Sequence, residues 1–125
     1  MRRFLAAPLF LAGLPLLAHH SIPGAYVTDQ NVRIEGTLVE FNFRDPHSFL
    51  GVSGKDPKTG APARFNLEWG SIQRLGRDQI TKDTLKIGDH LVIFGSPSRK
   101  QGDPILFLMG IRRPSDGWKW GRTVQ

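Results

Sequence analysis

The stretch NVRIEGTLVEFNF, residues 31–43, decides the fold class. Val32, Ile34, Gly36 and Leu38 fall on one side of an extended chain and Arg33, Glu35 and Thr37 on the other, the period-two pattern of a half-buried strand. The apolar phase then slips, because Phe41 and Phe43 carry it at odd positions. One extra residue near Val39–Glu40 accounts for the slip, and such a β-bulge lets a strand coil around a barrel. Gly36 in the strand interior suits a sharp bend.

Downstream, Arg44-Asp45-Pro46-His47 breaks the strand, and Ser48 to Ser53 resumes it. Residues 54–60, GKDPKTG, are dense in turn formers and read as a hairpin loop into a third strand, Ala63 to Glu68. Ser71 to Leu75 and Asp78 to Leu85 are predicted to hold one or two short helical turns, with Ser71 and Thr81 as caps. The turn Ile87-Gly88-Asp89 leads into a fourth strand, His90 to Gly95, and Ile105 to Ile111 is the fifth. The tail from Arg112 has no regular pattern; Trp118 and Trp120, two residues apart, suit an edge strand packed back on the rest, and Trp69 reads as core filling, the alternative for all three being rings that stack on a sugar or base. The expectation is a mostly β domain over residues 31–125: a small five-stranded OB-like barrel with a short helix between strands 3 and 4. An open β-sandwich is its main rival. Val32, Ile34, Leu38, Phe41, Leu67, Leu91, Ile93, Phe107 and Met109 are predicted to be mostly buried.

Upstream, residues 19–30 show no periodicity and read as an N-terminal arm. Residues 1–18 read as a cleavable signal peptide: Arg2 and Arg3 give a positive start, Phe4 to Leu17 are apolar, and Ala18 supplies a small residue before the cut. Fourteen apolar residues cover roughly 21 Å as a helix, short of the roughly 30 Å hydrocarbon core of a bilayer. Pro8 and Pro15 weaken such a helix further. The expected address is periplasmic or secreted, with no membrane span after cleavage. Without Arg2 and Arg3, 15 basic residues of the chain's 17 face 11 acidic ones, a net +4 scattered in both signs. That is a solvated surface rather than a nucleic-acid stripe, and no nucleic-acid partner is expected. The chain has no cysteine, which excludes disulfides, thiolate metal sites and thiol redox chemistry.

An ordered set of segments resembles the DUF6152 family of small exported bacterial proteins. The segments are Ala18-His19-His20-Ser21, Arg33 to Val39, Asp45-Pro46-His47, Glu68-x-Gly70-Ser71 and Thr84 to Asp89. The chain departs from the usual family pattern at Asp45, where Asn is common, at Phe65, where an aromatic, usually Trp, is common, and at Ile72, where Pro is common; the tail after Arg113 also differs. The resemblance implies an exported address and a barrel-like fold. It brings no established activity.

The four histidines carry the functional reading: His19, His20, His47 and His90. If cleavage follows Ala18, His19 becomes the first residue and offers its free amine and ring Nδ1 to one metal. A third nitrogen from His20 or His47 completes a planar set that suits Cu(II) best among first-row metals. As a site, not as a fold, this resembles the copper histidine brace of the lytic polysaccharide monooxygenases and of some periplasmic copper-binding proteins. His90, at the start of a buried-looking strand, reads as structural or solvated. Glu68 is expected to pair with an arginine, the alternative being a carboxylate that orients a histidine ring. Asp45 reads as a turn residue. No nucleotide-binding glycine pattern, catalytic triad or carboxylate pair is present, so no enzymatic activity is expected. The leading expectation is a periplasmic metal-binding protein, for copper, in metal handling or delivery, with His19, His20 and His47 as ligands. The alternative is a metal-free OB-like module whose groove binds a partner protein or a small ligand.

Overall fold

The computed structural model describes residues 21–122. Its elements run α1 (Ile22–Ala25), β1 (Val32–Asn42), β2 (Phe49–Lys55), β3 (Pro62–Glu68), α2 (Ile72–Arg77), β4 (His90–Pro97), β5 (Ile105–Arg113) and β6 (Trp118–Gly121). The hydrogen-bonded strand order is β3-β2-β1-β4-β5-β6, and a parallel pairing of β3 with β5, Asn66 to Glu68 against Ile105 to Phe107, closes the first five strands into a barrel. This is the expected OB-like barrel, with α2 between strands 3 and 4 and β6 added at the edge of β5.

β1 is long enough to serve two neighbours. Its first half pairs with β4, from Val32↔Gly95 to Thr37↔His90, and its second with β2, from Gly36↔Gly54 to Asn42↔Phe49. The β2 register shifts between Leu38 and Glu40, which leaves Val39 as the bulge residue that the slipped apolar phase called for. A Cβ on Gly36 would run into the Ser53 carbonyl, so the bend also requires glycine there.

The barrel interior is built from Ile34 and Leu38 of β1, Leu50 and Val52 of β2, Leu67 of β3, Leu91 and Ile93 of β4 and Leu108 of β5, all fully buried. Burying each such side chain stabilises the fold by roughly 1.5–3 kcal/mol. Val32 and Phe41 are half-buried and pack against this core. The expectation for β5 fails in phase: Leu106, Leu108 and Ile111 point inward, whereas Phe107 and Met109 are only half-buried. The run Ile-Leu-Phe-Leu-Met is apolar on both faces, because the outward face of β5 is itself covered, so alternation could not choose between them. Phe107 meets the ring of Tyr26 at 5.5 Å between centroids.

Ser71 caps α2 as expected, its side chain accepting from the Arg74 amide at 3.2 Å. The second helical turn expected over residues 78–85 is absent. That segment is a series of turns in which the Thr81 amide bonds the Thr84 hydroxyl at 2.8 Å, the local side-chain competition that keeps threonine out of helices. Among the described residues no helix is long and apolar enough to cross a membrane.

Candidate functional site

The β1–β2 connection presents His47 at one end of the barrel. The Ser48 amide donates to the Gly70 carbonyl at 3.0 Å and the Trp69 amide to the Ser48 carbonyl at 2.8 Å, so the loop is laced to the end of β3. Asp45 adds a tie to α2, Oδ1 accepting from the Ile72 amide at 2.9 Å. These bonds set His47 beside Glu68, with Nδ1 2.8 Å from Glu68 Oε1. The arginine expected for Glu68 is not its partner: the ion pairs formed among the described residues place the arginines on other carboxylates, and Glu68 meets the histidine instead.

The second oxygen of Glu68 accepts a hydrogen bond from the hydroxyl of Tyr26. Tyr26 is buried, and it comes from the segment that the sequence presents as an arm. The segment is docked along the end of β4: Tyr26 bridges to Ser98, the Val27 amide donates to the Pro97 carbonyl at 2.9 Å and the Arg99 amide to the Ala25 carbonyl at 2.9 Å. Burial first, and the adjacent Glu68 carboxylate second, push the Tyr26 hydroxyl well above the usual phenol range. It therefore stays a proton donor, and the chain Tyr26–Glu68–His47 runs from the interior to the surface. The Glu68 side chain is 19% exposed and the His47 side chain 47%.

A carboxylate against Nδ1 favours the tautomer with its proton there and leaves Nε2 with a lone pair. This is the outer arrangement that metal-ligating and proton-accepting histidines share. Among the described residues no three His, Asp or Glu side chains gather into a group able to hold a metal ion. Of the residues singled out in the sequence, His47 lies here, and His19 and His20 lie outside the described residues. His90 sits elsewhere, on the solvated face of β4, with Nε2 2.9 Å from Glu35 Oε1.

Beside His47 opens a cleft of about 530 Å³. Trp69 and Trp120 meet edge to face in its wall at 5.0 Å between centroids, with Met109 and Phe107 of β5 and Ile22 of α1 completing the apolar lining. Trp120 is pinned by its Nε1 donating to Asp78 Oδ2 at 2.8 Å. Arg74 and Arg122 supply charge. Sequence reasoning missed Tyr26, whose one signal was being the chain's single tyrosine in an otherwise patternless segment. It also missed the cleft, whose lining comes from five separate stretches of chain.

Comparison with known proteins gives one match. The model of DUF6152, a family of unknown function, matches residues 8–104. No curated protein and no solved structure matches the chain.

Proposed function

The chain belongs to the DUF6152 family, whose function is unknown, and we propose that it is a small periplasmic metal-binding protein, for copper, acting in metal handling or delivery through an N-terminal histidine. The observation that carries the reading is the coupling of the N-terminal segment to His47. Tyr26 donates to the carboxylate that faces His47, and Ile22 lines the same cleft as His47. His19 lies three positions before Ile22, a span of at most about 10 Å. A chain cut after Ala18 would therefore start within about that distance of a residue lining the same cleft as His47. The amine and ring Nδ1 of His19, with Nε2 of His47 or a ring nitrogen of His20, would hold one Cu(II). Glu68 would orient the His47 ring, with Tyr26 holding Glu68 in turn. An α-amine with a pKa near 8 must lose its proton to bind, so affinity should rise with pH through that range.

Mass spectrometry of the exported chain, followed by copper titration, tests the proposal. The expected result is a start at His19 and one Cu(II) per chain. A start at Ile22 or later removes both leading histidines and ends the proposal.

A second reading, a metal-free module whose groove takes a small ligand, is favoured by the cleft itself. Its volume of about 530 Å³ falls within the range of about 300–1,000 Å³ usual for small-molecule sites.

A further inference from the structure

The cleft beside His47 has a chemical bias that its volume alone does not convey. Its walls are aromatic and aliphatic, and its charged groups are all of one sign or neutral: Arg74 from α2, Arg122 after β6, and His47. Among the described residues no acidic side chain lines it. The carboxylates nearby are engaged elsewhere. Asp78 accepts from Trp120, Asp45 from the Ile72 amide, and Glu68 faces Tyr26 and His47. Arg33, Arg64 and Arg113 all pair with carboxylates, whereas among the described residues neither Arg74 nor Arg122 forms an ion pair. An apolar slot whose lining includes two arginines that form no ion pair among the described residues complements one class of molecule, an organic anion with a flat apolar body.

We propose that this cleft binds a small aromatic carboxylate, its ring against Trp69, Trp120 and Met109 and its carboxylate on Arg74 and Arg122. Guanidinium groups match the planar two-oxygen face of a carboxylate, and the aromatic walls favour a ring through edge and offset contacts. The inference rests on the groove reading of the site and not on the metal reading: among the described residues His47 is the one histidine of the lining, and it contributes only as a wall.

Calorimetric titration of the exported chain in EDTA tests it, with 2-naphthoate as the anionic probe and 2-naphthylmethanol as its neutral counterpart. The expected result is naphthoate bound about tenfold or more tighter than the alcohol, as a charge-assisted pair at a half-open rim gives. Arg74→Gln and Arg122→Gln should each weaken naphthoate by roughly five- to tenfold and leave the alcohol unchanged. Arg77→Gln changes a residue of the same helix that does not line the cleft, and should change neither. Equal binding of both probes overturns the anion assignment while leaving a ligand-binding groove. Binding of neither overturns the groove reading as well. Naphthoate binding that ignores both Arg74→Gln and Arg122→Gln places the ligand elsewhere and overturns the assignment.

Discussion

Among the described residues the barrel carries two histidine–carboxylate pairs of nearly the same length, and they differ in what surrounds the carboxylate. His47 stands 2.8 Å from Glu68 and His90 2.9 Å from Glu35. The Glu35 side chain is 45% exposed and the His90 ring 54%, and the carboxylate's other oxygen accepts from Arg33, itself in water. The Glu68 side chain is 19% exposed, and its other oxygen is taken by a buried tyrosine on a different segment. One pair bridges neighbouring strands on a wet face; the other joins three elements at the barrel end. Distance alone would rank them equal. What distinguishes them is what holds the carboxylate, and the difference should be measurable.

The largest separation is expected in copper affinity. In exported protein with a confirmed His19 start, His47→Ala should weaken Cu(II) binding by about 100-fold or more, because one of three nitrogen ligands is lost. His90→Ala should leave the affinity unchanged. If the two variants behave alike, the leading residues chelate the metal by themselves and the barrel takes no part. Glu68→Gln keeps the shape but removes the charge behind the ring, and should cost roughly 10- to 100-fold in affinity. Glu35→Gln should cost nothing in the same titration.

Next comes the buried end of the relay. Tyr26→Phe deletes one hydroxyl and leaves Glu68 short of a donor, a change worth about 1–3 kcal/mol in a denaturant melt. The pH dependence has a definite sign. The folded state raises the tyrosine pKa, by burial and then by the Glu68 carboxylate, so the stabilisation is fully present below the ordinary phenol value of about 10 and is lost as pH rises above it. Because Tyr26 is the single tyrosine, its ionisation can be followed directly by tyrosinate absorbance. It should ionise together with the loss of the barrel's circular dichroism, and the Tyr26→Phe variant should have a flatter alkaline limb. Ionisation at the ordinary value in a still-folded chain would show that the hydroxyl is open to water and that the N-terminal segment is not docked.

The contrast between these two ends also marks how far the sequence could be read. β1 announced its bulge, because Leu38 and Phe41 sit on the same face with an even-numbered alternation broken between them, and the observed shift falls at Val39. Such signals are local: they need only neighbouring residues on one strand. β5 was misread by one residue because Phe107 and Met109 are apolar for a reason outside the barrel, one covered by Tyr26 and the other lining the cleft. The Tyr26–Glu68–His47 chain joins residues 42 apart in one step, and nothing local to Tyr26 distinguishes a docked tyrosine from an exposed one. His47 was legible as a candidate because Asp-Pro-His interrupts a strand. What orients it was not, since that depends on the loop being tied to Gly70 and Trp69 through Ser48.

The smallest effect is the test that most sharpens the comparison. Glu35→Gln removes the contacts to both His90 and Arg33, so an additive view of ion pairs would make it the costlier of the two carboxylate changes. Glu35 is exposed to solvent, however, and its carboxyl is held below the usual range first by the hydrogen bond with His90 and then by Arg33. Exposed pairs of this kind are worth at most about 0.2–1 kcal/mol, because water solvates the separated partners nearly as well. The expected change in unfolding free energy for Glu35→Gln is therefore within about 0.5 kcal/mol near neutral pH. A depressed carboxylate pKa contributes stability above its unfolded value and loses it as pH falls, so the gap from the wild type should close below the ordinary glutamate range, near pH 4. It should close also in about 1 M salt, where the screening length drops to roughly 3 Å. Glu68→Gln, whose carboxylate is shielded between the tyrosine and the histidine, should keep most of its cost in that salt. A salt-sensitive Glu68 and a salt-insensitive Glu35 would reverse the assignment of the two pairs, and with it the case for placing the site at His47.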